Sequence, residues 1–147
     1  MALRERNYHQ SVFVEIKQLK MGISSANFSS KELSCSCCGK NEFNKETLVA
    51  LQRLRDSIGK PISLSSAYRC PTHNDKISST GKDGPHTTGK AVDIVCSGKA
   101  AWELLSYAMI RSKVWKGIGI SQKGEHKSRF IHLDTIDSDM RPWVWSY

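Results

Sequence analysis

Residues 84–94 read Gly84-Pro85-His86-Thr87-Thr88-Gly89-Lys90-Ala91-Val92-Asp93-Ile94, and residues 130–135 read Phe130-Ile131-His132-Leu133-Asp134-Thr135. Each stretch has the apolar positions of a short strand with ligating side chains set among them. Together they supply two imidazoles and two carboxylates. Zinc in hydrolases typically takes three protein ligands and leaves a fourth position for water. His86, Asp93 and His132 form such a set. Gly89 lets the chain bend between His86 and Asp93, so that both can face one ion. Asp134 follows His132 by two residues, the spacing that puts both on one side of a strand. It is suited to act as general base and then general acid, or to support a ligand histidine. Glu125, in the turn before this strand, is the other candidate base.

Outward from these segments, the pattern predicts an α+β fold with a small antiparallel sheet flanked by helices. Residues 61–68, 90–95, 117–121 and 129–135 read as strands. Residues 45–58 read as the clearest helix: Leu48, Leu51, Leu54 and Ile58 form one apolar face, and Gly59 is a stop. A second helix is expected over 99–113, with Trp102, Leu105, Met109 and Tyr107 facing inward. Ser29 or Ser30 suits the cap of a short helix through Leu33. Residues 70–90, rich in Pro, Thr, Asn, Asp, Ser and Gly, read as one long loop. Residues 1–26 read as an N-terminal extension, with a weak helical stripe (Val12, Phe13, Ile16, Leu19) ended by Gly22, and residues 27–147 as one domain.

The chain has 147 residues, enough for a core that needs neither disulfides nor metal to form. Its formal charge is +8, from 22 Lys and Arg against 14 Asp and Glu. That favours polyanionic partners. The charges are scattered, with no basic stripe interleaved with aromatics, which argues against nucleic acid. Trp143, Trp145 and Tyr147 are better placed to pack or to line a cleft. No apolar run approaches the ~20 residues of a membrane span, and the first residues lack the pattern of a secretory signal. A protein made and kept in the cytoplasm until released is therefore expected. Of five cysteines, Cys35, Cys37 and Cys38 crowd into one turn, while Cys70 and Cys96 stand apart. Cys35-x-x-Cys38 can open a structural zinc site but needs a second pair, and Cys70 and Cys96 do not form a second C-x-x-C.

The order of these motifs resembles the zinc D-Ala-D-Ala carboxypeptidases and L-Ala-D-Glu endopeptidases, which share their fold with the Hedgehog signalling domain. The short single-domain peptidases of phages and bacteria, an endolysin-like subgroup, are similar in pattern. The likeness rests on His86-x-x-Gly89-x-Ala91-x-Asp93 and His132-x-Asp134. It extends to Phe28-Ser29-x-x-Glu32-Leu33, Cys35-x-x-Cys38-Gly39, Ser66-Ala67-Tyr68-Arg69-Cys70-Pro71-x-His73-Asn74, Gly117-Ile118-Gly119-Ile120 and Arg141-Pro142-x-x-Trp145-Ser146-Tyr147. It implies Zn²⁺ on His86, Asp93 and His132. It places Arg69 in the cleft, gripping a substrate carboxylate or the oxyanion. Gly84 stands where the family often has Ser, and Arg129 where many relatives carry an acidic base.

The resemblance implies a metallopeptidase that cuts peptidoglycan stem peptides, at L-Ala-D-Glu first and at D-Ala-D-Ala as the alternative. Such an enzyme is expected to act as a monomer on the cell wall after release, or from a virion. The rival expectation is a wall-binding or virion domain that keeps the fold without the chemistry.

Overall fold

The computed structural model describes residues 14–19, 22–111 and 113–147. A hairpin, β1 (Lys17–Leu19) and β2 (Gly22–Ser24), leads into α1 (Ser30–Leu33) and α2 (Lys45–Ile58). Then come β3 (Ser63–Ser66), α3 (Pro71–Ile77), β4 (Ala91–Val95), α4 (Gly98–Ile110), β5 (Gly117–Ser121), β6 (Phe130–Asp134) and β7 (Trp143–Ser146). The five later strands form one sheet in the order β3-β4-β6-β5-β7. Its neighbours pair antiparallel except β5 and β7, which run parallel. The fold is α+β as expected, but the sheet is mixed rather than purely antiparallel.

One face of the sheet builds the core. Val92, Ile94, Ile131 and Leu133 are buried there together with Leu48, Leu51 and Leu54 of α2 and Leu104 of α4. Alternation within β4 and β6 sends Asp93, His132 and Asp134 to the opposite face. The register sets Asp93 beside His132. A slip of one residue by either strand would turn that strand's ligating side chain into the hydrophobic core.

α2 spans the expected residues. Asn44 caps it: its side-chain oxygen accepts from the Thr47 amide at 2.9 Å and from the Thr47 hydroxyl at 3.0 Å. Asn44→Ala leaves that amide without its partner and is expected to cost about 1 kcal/mol. This would appear as a lower urea midpoint with an unchanged slope. A midpoint equal to wild type would show that the cap carries no stability. Ser29 caps α1 in a reciprocal arrangement with Glu32.

Four expectations are corrected. The helix expected through Ile16 and Leu19 is a hairpin over its described residues, with Ile23 buried in the core; Val12, Phe13 and Met21 lie outside the described residues. The long loop at 70–90 contains α3, which begins on Cys70 and Pro71 and a 3-10 turn, Pro85–Thr88. Proline at a first helical position is pre-set for a helix start. In place of an apolar stripe, α3 buries Asn74, which donates to Thr80 Oγ1 (2.8 Å) and the Gly81 carbonyl (2.7 Å).

In α4 the buried face is Ala101, Leu104 and Ala108, with Leu105 only partly buried. Trp102 is 72% and Met109 64% exposed, and Tyr107 is also exposed. Both stripes obey the 3-4 spacing; the small alanines allow the closer approach, and the bulky residues were the misleading cue. The fourth correction is β7, a strand the pattern did not predict.

β5 is the thinnest strand of the sheet. Gly117 lies against the Asp134 carboxylate, and a Cβ at Gly119 would come within 2.7 Å of the Trp145 ring. No helix among the described residues is long and apolar enough to cross a membrane.

Candidate metal centre

His86, Asp93 and His132 reach one point from three directions. His86 stands on the 3-10 turn, where its Nδ1 donates to the Ala67 carbonyl at 2.7 Å. The Arg69 amide in turn donates to the His86 carbonyl at 3.2 Å, which stitches this turn to the end of β3. Asp93 and His132 are cross-strand neighbours. His86 Nε2 lies 3.2 Å from Asp93 Oδ2, and His132 Nδ1 lies 3.0 Å from Asp93 Oδ1. The two rings meet edge to face at 5.1 Å. All three side chains are buried.

This donor set fits a zinc ion. The second nitrogen of each ring is already committed, His86 to a backbone carbonyl and His132 to Asp134. Such partners fix the tautomer and aim the other nitrogen. In a neutral ring so held, the aimed nitrogen would turn a lone pair toward the carboxylate, and a proton or a shared cation between them relieves that repulsion. The three ligand atoms lie within 4.8 Å of one another, and tetrahedral zinc with bonds of about 2.1 Å spaces its ligand atoms roughly 3.4 Å apart.

Burial pushes the Asp93 carboxyl up, but hydrogen bonds from His132 and His86 outweigh it and hold the group well below the usual carboxylate range. Burial pushes His132 down, but Asp134 and Asp93 more than reverse this, so its pKa is raised.

Arg69 completes the group. Its Nη2 donates to Asp93 Oδ2 at 2.8 Å, its Nε to Ser66 Oγ at 2.7 Å and its Nη1 to Asn74 Oδ1 at 3.3 Å. Two of the three nitrogens are thus tied to β3 and α3, which leaves the third facing the site. Ser66 and Asn74 were quoted in the sequence motif without a role; their short polar side chains give no signal beyond their position around Arg69.

The two expected bases do not line the cleft. Asp134 is fully buried behind the imidazole, with Oδ2 3.1 Å from His132 Nε2. Arg141 donates to both its oxygens, at 3.2 and 2.9 Å, and the Ile136 amide donates to Oδ1. Burial pushes its pKa up, but the hydrogen bonds with His132 and Arg141 outweigh this and lower it. Glu125 is exposed, 3.1 Å from Lys127 Nζ. Arg129, at the position where an acidic base was sought, donates to the Gly124 carbonyl.

The cleft over the site has a volume of about 810 Å³. Trp143, Trp145 and Tyr147 form one wall and Ile77 to Thr80 another. Trp145 rests on His132 with ring centres 5.1 Å apart, and the Arg141 guanidinium lies 5.3 Å from the Trp145 ring centre. β7 thus contributes to both the cleft wall and, through the preceding Arg141, the buried support of His132.

The model of one protein family, described as peptidase M15, matches residues 22–134. No curated protein matches the chain. The matched span holds Arg69, His86, Asp93, His132 and Asp134, while the aromatic wall of β7 lies beyond it. The motifs, the α+β fold and this match agree: the chain belongs to the peptidase M15 family, that of the zinc D-Ala-D-Ala carboxypeptidases.

Proposed function

We propose that the protein is a zinc metallopeptidase that hydrolyses a peptide bond in peptidoglycan stem peptides, L-Ala-D-Glu in preference to D-Ala-D-Ala, in the manner of a phage endolysin. The observation that carries this reading is the convergence of two imidazoles and a carboxylate at the floor of an open cleft beside an anchored guanidinium. Zinc held by His86, Asp93 and His132 would acidify a water molecule and polarise the scissile carbonyl. Arg69, held beside the site by Ser66, Asn74 and Asp93, can offer its remaining N–H groups to a substrate carboxylate or the developing oxyanion. The aromatic wall offers apolar contact to the peptide backbone, and a charge of +8 favours approach to anionic wall polymers.

The test is mass analysis of purified peptidoglycan after digestion, with and without a chelator. Products with a new amino terminus at D-Glu, absent with chelator, are expected. Release of free D-Ala would assign the carboxypeptidase bond instead. Sedimentation with the wall and no cleavage would select a binding domain. One observation favours that second reading: Asp93 is the only carboxylate among the described residues that line the cleft.

Asp134 is assigned here to holding His132 rather than to carrying the proton, because its carboxylate is occupied by His132 and Arg141. Asp134→Asn is expected to weaken zinc affinity about 10–100-fold, read by competition with a chromogenic chelator. Unchanged affinity with a rate loss of about 10²–10⁴ would restore the base role.

A further inference from the structure

A second cluster of ligating side chains stands apart from the His86, Asp93 and His132 group. The sulfurs of Cys35, Cys37, Cys38 and Cys70 all lie within 4.8 Å of one another. Cys37 Sγ is 3.5 Å from Cys35 Sγ and 3.4 Å from Cys70 Sγ. All four thiols are free. These separations are far from the ~2.05 Å of a disulfide. They approach the roughly 3.8 Å between sulfurs of a tetrahedral zinc site with bonds of about 2.3 Å. Cys37 has two sulfur neighbours at nearly equal distance, which suits a shared ion better than a pairwise bond.

The backbone holds the cluster together. Cys35 to Lys40 closes a tight turn, with the Gly39 amide donating to the Cys35 carbonyl at 2.8 Å and the Cys35 amide to the Lys40 carbonyl at 2.8 Å. Gly39, at φ +73°, turns the chain back after Cys38. The His73 amide donates to Cys70 Sγ at 3.4 Å. His73 Nδ1 lies 3.4 Å from Cys35 Sγ. Amide and imidazole donors around a sulfur offset negative charge on it. The second pair missing from the sequence pattern is thus supplied without a second C-x-x-C: Cys37 joins Cys35 and Cys38 from within the turn, and Cys70 arrives from the start of α3.

We propose that Cys35, Cys37, Cys38 and Cys70 hold a second zinc ion, closed by four thiolates and structural in role. Four protein ligands leave no position for water, so this ion does no chemistry. It fastens the turn after α1 to Cys70, the residue next to Arg69, and so braces the corner that aims the guanidinium into the cleft.

The test counts metal independently of peptidase activity. Wild-type protein is expected to carry two zinc ions per chain, and the His86→Ala/His132→Ala variant one. Cobalt exchanged into that variant should give the intense near-ultraviolet sulfur-to-cobalt charge-transfer absorption of thiolate ligation. If the double variant does not fold, the same absorption is read in cobalt-exchanged wild type. Cys37→Ser, at an exposed position, should lower occupancy of the second site while leaving the first filled. Wild type with a single zinc and no thiolate absorption would overturn the proposal, and so would disulfides among these cysteines in freshly purified protein. A protein with no activity on any wall peptide would still decide it, because neither the zinc count nor the spectrum depends on turnover.

Discussion

His132→Ala is expected to reduce wall-peptide hydrolysis to the background rate and to empty the cleft of its zinc. In the proposed site His132 is one of three ligands, so its loss would leave His86 and Asp93 alone. The damage extends behind the ring. Asp134 lies against His132 Nε2, and alanine removes that contact and leaves Asp134 Oδ2 with Arg141 as its remaining side-chain partner. Metal analysis and digestion assays on the folded variant measure both effects. Hydrolysis that persisted at a substantial fraction of wild type would remove His132 from the metal site and with it the mechanism proposed here.

Arg69→Lys is expected to lower turnover by about 10²–10³ while zinc remains bound. The charge is kept, yet lysine cannot reproduce the planar fork. Arg69 spends Nε on Ser66 and Nη1 on Asn74, which fixes the direction of Nη2. An ammonium has no such anchored edge, and its flexible stem would leave the charge poorly aimed. A fall in kcat with KM unchanged would point to the oxyanion, and a rise in KM alone to a ground-state carboxylate. Wild-type kinetics would make Arg69 a brace for Asp93 and nothing more.

The candidate ligands were legible because strand alternation and the two short motifs constrain where His86, Asp93 and His132 point. The same holds for α2, whose leucine stripe, cap and stop all agree. What the sequence hid follows from three physical causes. In α4, two stripes fit one period, and side-chain bulk pointed to the wrong one. In α3, stability comes from the hydrogen bonds of a buried Asn74 rather than from apolar spacing, so no periodic signal exists. For Asp134, the period-two rule correctly placed it on the same side as His132, but the rule says nothing of depth. Arg141, seven residues away in the chain, encloses the carboxylate, which is the ground for proposing a supporting role for Asp134.

The bareness of β5 also sets limits on sequence drift. In a library in which every position of that strand is varied, survival should follow a period of two. Gly117 and Gly119 are held by what lies over them, the Asp134 carboxylate and the Trp145 ring. Even alanine at either position must displace a neighbour, one the support of a ligand and the other the cleft wall. Ile118 and Ile120 face the hydrophobic side and are only partly buried, so valine or leucine should be accepted there. The strand acts as a shim of fixed thickness: its lack of side chains sets how deep the aromatic wall sits above the histidine, and so how large a peptide the cleft admits.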